Sequence, residues 1–258
     1  MRHAIILSLA ALVGLCSAAH AVARPLVRMD VVDRDSGRWL EQYPHGRDNW
    51  VAGQPGHRYA VRLTNTTGER VLVVLSVDGI NAVTGQTAAP GQTGYVLAPW
   101  QSAEIAGWRK SHHEVAQFVF TALPDSYAAR TGRPDHVGVI GIAVFRERQP
   151  AATPSPPIAR EAAPVESRTA ESAAAWPAPS APVQQHLGTG HGQRQWSPAG
   201  QTRFDRAGHP AQFTRLRYDA PGALAARGIL PRARPWHDRA RPQAFPGGFV
   251  ADPPPRRR

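Results

Sequence analysis

The chain has 258 residues and a formal net charge of +11, from 30 lysines and arginines against 19 aspartates and glutamates. Its single cysteine, Cys16, excludes a disulfide framework and a cysteine-based zinc site. The helix-turn-helix, RNA-recognition and zinc-finger signatures are absent, which argues against a specific nucleic-acid partner despite the basic charge.

Residues 1–23 have the pattern of a secretory signal peptide. A positively charged start precedes the apolar run Ala4–Cys16, and small residues follow in two A-x-A patterns. We expect cleavage after Ala21 or Ala23 and a periplasmic or secreted protein. The apolar run is too short to span a bilayer, so no transmembrane segment is expected in the mature chain. Leu15 directly before the cysteine argues against a lipid anchor.

The strongest strand signals lie in residues 57–79. Arg70–Val77 is a short apolar run dominated by β-branched side chains, which favour an extended, pleated backbone. Tyr59–Leu63 alternates large apolar residues with alanine and arginine, the period of a half-buried strand. Asn65–Gly68 lies between the two runs. Because asparagine and glycine tolerate left-handed backbone, this order predicts a β-hairpin.

Five more stretches have strand character. Val137–Phe145 is almost wholly apolar, which is typical of a central strand that is buried on both faces. In Glu114–Ala122, one alanine and two phenylalanines alternate with valine, glutamine and threonine, and a proline soon follows that would end a strand. Shorter candidates are Leu26–Asp33, Tyr95–Leu97 and Glu104–Trp108.

These stretches predict an all-β domain over residues 24–149, with turn signals about every ten residues. We expect an antiparallel β-sandwich, either immunoglobulin-like or a small barrel. Residues 34–56 are rich in glycine and proline, which predicts turns and loops, and their aromatic side chains are expected to cap the sandwich.

The composition changes after residue 149, where 17 of the 25 prolines follow residue 150. Residues 150–185 have few large apolar side chains to offset the entropy of ordering, which predicts a disordered linker. Residues 186–231 are predicted to be partly ordered, with an edge-strand pattern at Phe213–Tyr218 and one helical turn at Ala223–Ala226. Residues 232–258 are predicted to be a disordered, basic tail.

The positive charge is concentrated in the second part of the chain. The balance is 15 − 12 = +3 for residues 1–150 and 15 − 7 = +8 for residues 151–258. One interpretation is an anionic partner in the envelope: lipid, lipopolysaccharide or glycan. The alternative is a codon bias that favours arginine together with alanine, glycine and proline.

Several segments resemble uncharacterised exported proteins of proteobacteria. The resemblance is carried by VLSVDGINAVTGQ (Val74–Gln86), FTALPDSYAARTGRPD (Phe120–Asp135), VGVIGIAVF (Val137–Phe145), LGTGHG (Leu187–Gly192) and LAARGIL (Leu224–Leu230). It covers the predicted core and the later segment but not the linker. It implies a bacterial envelope origin and no particular activity.

Two pairs of residues are candidate binding groups. Arg130 and Arg133 lie in a polar stretch between two predicted strands, and loops on rigid β scaffolds are common binding sites. We interpret these arginines as an anion-binding pair. Trp100 and Trp108 on short strands are candidates for a sugar-stacking platform, with core packing as the alternative.

The leading hypothesis is a non-enzymatic binding or structural module that engages its partner through loops or an edge strand. The alternative is a hydrolase that uses the Asp125–His136 loop, with Ser126 paired to a histidine. That loop lacks the G-x-S-x-G motif, and Asp125 is interpreted as a helix N-cap instead. His112 and His113 are adjacent without metal-ligand spacing, so no metal or other cofactor is predicted.

Overall fold

The computed structural model describes residues 24–148 and 185–230 of the chain. Thirteen strands and two short α-helices, numbered in chain order, make up this part: β1 (Val27–Asp33), β2 (Tyr43–His45), β3 (Asp48–Ala52), β4 (Arg58–Asn65), β5 (Val71–Val77), β6 (Ile80–Asn81), β7 (Tyr95–Leu97), β8 (Ser102–Ile105), β9 (Gly107–Arg109), β10 (Glu114–Ala122), α1 (Tyr127–Arg130), β11 (Val139–Arg146), β12 (Leu187–Trp196), β13 (Gln212–Asp219) and α2 (Pro221–Ala226).

The strands form two sheets, which confirms the predicted all-β sandwich. The first sheet has the order β1-β4-β10-β12, with β8 paired to β4 and β9 to β10. The second has the order β2-β3-β13-β11-β5-β6, with β7 paired to β5. All pairings are antiparallel except that of β3 with β13. Within the described residues, no helix is long and apolar enough to cross a membrane.

The core lies between the sheets and follows from the alternation of side chains along each strand. Leu75 of β5 and Ile140 of β11 are fully buried within it. Tyr59 stacks on Phe120 with ring centroids 4.1 Å apart, so aromatic side chains fill the middle. Val139 belongs to the predicted apolar run but is only half-buried, because its side chain falls on the opposite face from that of Ile140.

The predicted hairpin over residues 57–79 is wrong. β4 belongs to the first sheet and β5 to the second, so the turn between them crosses the sandwich. The side chain of Asn65 supports the crossing: its Nδ2 donates to the carbonyls of Glu69 (2.7 Å) and Ala98 (2.8 Å), and its Oδ1 accepts from the Thr67 N–H (3.0 Å). The turn residues therefore serve a sheet-to-sheet connection that local sequence does not distinguish from a hairpin.

Residues 185–230 complete the sandwich, which the predicted boundary at residue 149 does not anticipate. β12 pairs along β10, and β13 lies between β3 and β11. The edge-strand interpretation of Phe213–Tyr218 is thus wrong, because β13 has a neighbour on each side. Leu216 and Tyr218 of β13 are buried in the common core. The helical turn predicted at Ala223–Ala226 corresponds to α2.

A buried chain of hydroxyl groups ends at the carboxylate of Asp78 and joins the two parts of the chain. Asp78 accepts from the Tyr218 hydroxyl (2.6 Å) and from the N–H groups of Thr189 (2.7 Å) and Gly138 (2.9 Å). Thr189 contacts the hydroxyls of Tyr218 (2.6 Å) and Tyr59 (2.5 Å). Each hydroxyl has one proton, and that of Tyr218 is donated to Asp78. Thr189 must therefore donate to Tyr218, and Tyr59 must donate to Thr189.

Residues 34–56, predicted to be loops, contribute the strands β2 and β3. Trp50 is buried against Leu224 and Ile229 in a small cluster beside α2, as expected for a capping aromatic. Trp39, in contrast, is 51% exposed. The predicted signal peptide, most of the linker over residues 150–185 and the tail over residues 232–258 lie outside the described residues.

Candidate anion-binding site

Three segments meet beside the middle of β12. The turn after β9 brings Lys110, α1 brings Tyr127 and Arg130, and β12 itself carries His191 and Arg194. The Tyr127 ring lies 5.6 Å from the His191 ring and 5.0 Å from the ring of the buried Trp108. The aromatic contact with the core therefore holds α1 against the two strands. We call these five residues the cationic face.

Cations outnumber acids on the cationic face. Lys110, Arg130 and Arg194 are exposed, and the described residues offer no ion-pair partner to the first two. Arg194 pairs with Glu114 at 3.1 Å. Among the described residues, one ion pair is thus found at these three positive charges, which leaves this surface able to attract an anion.

His191 reports the positive potential of this surface. Partial burial of its ring lowers the pKa of His191 below the ordinary value of 6.5, and the charges of Lys110, Arg194 and Arg130 lower it further. A cationic neighbour has this effect because it disfavours a second positive charge nearby. A bound anion would oppose the effect and raise the pKa.

The predicted pair of Arg130 and Arg133 is divided in the structure. Arg133 lies 6.0 Å from the centre of the Tyr127 ring and donates to Thr131 Oγ1 (3.0 Å) and to the Gly85 carbonyl (3.4 Å). Its guanidinium is therefore engaged in holding the loop. Arg130 instead joins Lys110 and Arg194 around His191.

The predicted tryptophan pair is also divided. Trp108 is 2% exposed and packs edge-on against Phe118 at 4.8 Å, so it belongs to the core, the alternative that the sequence left open. Trp100 is 68% exposed at a turn between β7 and β8. The two side chains do not form one platform.

Ser126 has a structural role in the loop that the hydrolase alternative would use. Its hydroxyl is buried, donates to the Leu123 carbonyl (2.7 Å) and accepts from the Ala129 N–H (3.2 Å). Ser126, and not Asp125, is therefore the N-cap of α1. A hydroxyl occupied in this way is poorly placed to act as a nucleophile.

A second polar cluster, which the sequence did not suggest, contains Asp33, Asp35 and His57. Their ligand atoms lie within 4.8 Å of one another, but each carboxylate is already engaged. Asp33 contacts His57 Nδ1 (2.7 Å) and accepts from two backbone N–H groups, while Asp35 accepts from Arg58 Nε (2.8 Å). Burial acts to raise the pKa of Asp33, but these hydrogen bonds outweigh it and lower the pKa. The cluster fastens the turn after β1 to the start of β4.

Comparisons with known proteins identify no relative of this chain. No family model, curated protein or solved structure matches it. The functional interpretation therefore depends on the chemistry of the surfaces described above.

Proposed function

We propose that this protein is an exported, non-enzymatic β-sandwich module of the bacterial envelope that binds the phosphate groups of anionic lipids through its cationic face. The observation that carries the proposal is the cluster of Lys110, Arg130 and Arg194 around His191, in which Arg194 alone has an ion-pair partner among the described residues. Arginine and lysine are the side chains that bind phosphate in proteins, through charge-assisted hydrogen bonds.

The cationic face stands on rigid elements, which supports a binding role. Arg194 lies in a strand that is paired along β10, and Arg130 ends a helix whose Tyr127 packs on the core. Side chains presented in this way lose less entropy when they bind than side chains on a loose segment.

The edge of the first sheet at β1 is closed to strand addition by its own hydrogen bonds. The Val31 carbonyl accepts from the Leu40 N–H (2.8 Å), and the Met29 carbonyl accepts from Gln42 Nε2 (2.9 Å). The Val27 N–H and carbonyl both bond to the side-chain amide of Gln212 (2.9 and 2.7 Å). An edge whose backbone groups are already paired is a poor template for another strand.

The basic character of the second part of the chain divides into two roles. Besides Arg194, four arginines within residues 185–230 have partners in the sandwich: Arg206, Arg215, Arg217 and Arg227. Residues 231–258 carry 7 − 2 = +5 by sequence. In the proposal this tail is a second attachment to the anionic surface, and two linked attachments raise the overall affinity.

The proposed location comes from the sequence of residues 1–23 and from the resemblance to exported proteins. A membrane surface rich in anionic phosphate is the partner that such a location offers. Each basic residue held near an anionic bilayer contributes about 1 kcal/mol, and salt screens the contribution.

The test is co-sedimentation of the full mature chain with phosphatidylglycerol vesicles and with phosphatidylcholine vesicles, over a series of salt concentrations. Replacing Lys110, Arg130 and Arg194 together by glutamine should weaken binding to the anionic vesicles roughly 100-fold at low salt. In addition, the pKa of His191, followed by NMR, should rise when the anionic vesicles bind.

A matched control replaces three exposed arginines away from the cationic face, Arg38, Arg47 and Arg203, by glutamine. This control variant has the same net charge as the triple variant of the cationic face. Equal losses in the two proteins would show that only total charge matters and would refute a defined site. A chain that ends at residue 230 measures the contribution of the tail separately.

A further inference from the structure

Trp100 combines an unfavourable backbone conformation with an exposed side chain. Its φ is +61°, in the left-handed region that a bulky residue rarely adopts, and its side chain is 68% exposed. In the described part of the chain one other non-glycine residue has positive φ, Asp78, and its carboxylate gains several buried hydrogen bonds. The strain at Trp100 has no comparable compensation from burial, and uncompensated strain is concentrated at functional positions.

The turn around Trp100 holds the indole in a fixed place. The Trp100 N–H donates to the Thr67 carbonyl (3.1 Å), and the Gln101 N–H donates to the Ala98 carbonyl (3.1 Å). The Gln101 Oε1 accepts in return from the Ala98 N–H (2.7 Å). The buried Asn65 bonds to the Ala98 carbonyl (2.8 Å) and so ties the turn to the crossing between the sheets. These bonds fix the backbone from which the indole projects before any ligand arrives.

Two other exposed tryptophans differ from Trp100 in their surroundings. The guanidinium of Arg62 lies 5.1 Å from the centre of the Trp39 ring, and His113 stacks on Trp196 at 5.0 Å with an interplanar angle of 6°. Among the described residues, no such ring or guanidinium covers Trp100. Its ring thus remains open to stacking by another molecule.

The residues beside Trp100 are apolar on one side and polar on the other: Ala98 and Pro99 before it, and Gln101 and Ser102 after it, are all exposed. A Cβ at Gly68 would lie 3.9 Å from the indole, so the ring passes close to a residue without a side chain. The Gln101 oxygen is used in the turn, which leaves its NH₂ group as a donor, and the hydroxyls of Ser102 and Thr64 lie 2.9 Å apart.

From these contacts we infer that Trp100 is the stacking platform of a second binding site, one that takes a hexopyranose ring of an uncharged glycan. The C–H face of a sugar ring packs on the indole, while its hydroxyl groups bond to the Gln101 amide and the Ser102–Thr64 hydroxyls. This combination of an apolar face with a polar rim is what an isolated aromatic ring among amide and hydroxyl groups accommodates. The inference is independent of the proposed lipid binding.

The experiment follows the seven indole N–H resonances of the full mature chain by NMR during titration with cellohexaose, maltohexaose and chitohexaose. The Trp100 resonance, assigned by its loss in Trp100→Gly, should shift with at least one oligosaccharide at millimolar concentration or below. Trp100→Gly should weaken that binding at least tenfold. Its melting temperature should be equal to or higher than that of the parent, because glycine adopts φ +61° without strain.

The control is Trp39→Ala, which removes another exposed indole and should leave glycan binding unchanged. A Trp100 resonance that stays in place with all three oligosaccharides refutes the inference, as does equal loss of binding in the control. A lower melting temperature in Trp100→Gly would show that the ring stabilises the fold. Blue-shifted Trp100 fluorescence on phosphatidylcholine vesicles would identify a membrane contact and would also overturn it.

Discussion

Two neighbouring strands of the second sheet, β11 and β13, occupy equivalent places and have very different sequences. Both are paired on each side, and both contribute large side chains to the same core. β11 reads VIGIAVFR and shows its central position in its composition, whereas β13 reads QFTRLRYD and resembles the edge of a sheet. A polar strand can therefore be central if its outward side chains find partners.

The partners of β13 come from distant parts of the chain. Asp48 of β3 accepts from Arg215 (2.6 Å) and Arg217 (2.8 Å), and Arg217 also lies 5.7 Å from the Trp50 ring. These contacts allow the guanidinium groups to be largely buried without an uncompensated charge. Only the side chains of β13 that face the core resemble those of β11.

Removal of residues 185–230 should have the largest effect. A 24–149 fragment lacks β12 and β13, so β11 has an unpaired edge and both Tyr59 and Phe120 lose their contacts with Tyr218. We expect this fragment to show no cooperative melt by circular dichroism, and a 24–230 chain to show one. Addition of a 185–230 peptide should restore the transition. A cooperative melt of the fragment alone would confirm instead the self-sufficient domain that the sequence predicts.

Leu75→Ala in β5 and Leu216→Ala in β13 should destabilise the protein by similar amounts, about 3 kcal/mol each. Both side chains are fully or nearly fully buried in the same core. Denaturant unfolding measures the change, with Val139→Ala on the outer face as the control that should cost much less. A nearly neutral Leu216→Ala would show that β13 is only loosely attached.

The buried Asp78 should make stability depend on pH. Burial raises its pKa to about 6, although hydrogen bonds from Tyr218, Thr189 and Gly138 act to lower it. Because the folded state favours the neutral acid, its contribution is greatest below the unfolded pKa near 4 and is lost as the pH rises through 6. The loss is on the order of 2–3 kcal/mol. In Asp78→Asn, the part of the pH dependence that Asp78 causes between pH 4 and pH 6 should disappear from the free energy of unfolding. If the variant and the parent show the same pH dependence, Asp78 is not its cause.

Asp48→Asn should have the smallest effect of the four changes, about 1–2 kcal/mol, because it leaves two largely buried guanidinium groups with an amide in place of their acid. Asp30→Asn breaks the pair with Arg28, whose side chain is 58% exposed, and should cost less than about 0.5 kcal/mol. Thermal melts of the two variants compare the pairs directly. Equal costs would mean that the charges on β13 need no partner.

Local patterns in the sequence predict the strands with a strong apolar character and hence the fold class. β1, β5, β10 and β11 lie where the alternation and the apolar runs predict them. These patterns are local: β-branched and aromatic residues at period two favour extended backbone wherever they occur. The same locality explains the wrong hairpin, since a turn such as Asn65–Gly68 has the same composition whether it joins strands of one sheet or of two.

Tertiary structure decided the position of residues 185–230, because the charges of β13 are paired by residues more than 160 positions earlier in the chain. It also decided the sites. Arg130 was a candidate from sequence, but its neighbours Lys110 and Arg194 come together only when β9, α1 and β12 pack side by side. Trp100 and Trp108 looked equivalent, and packing buried one and exposed the other. Propensity acts between adjacent residues, whereas pairing, burial and electrostatic potential depend on which distant segments the core brings together.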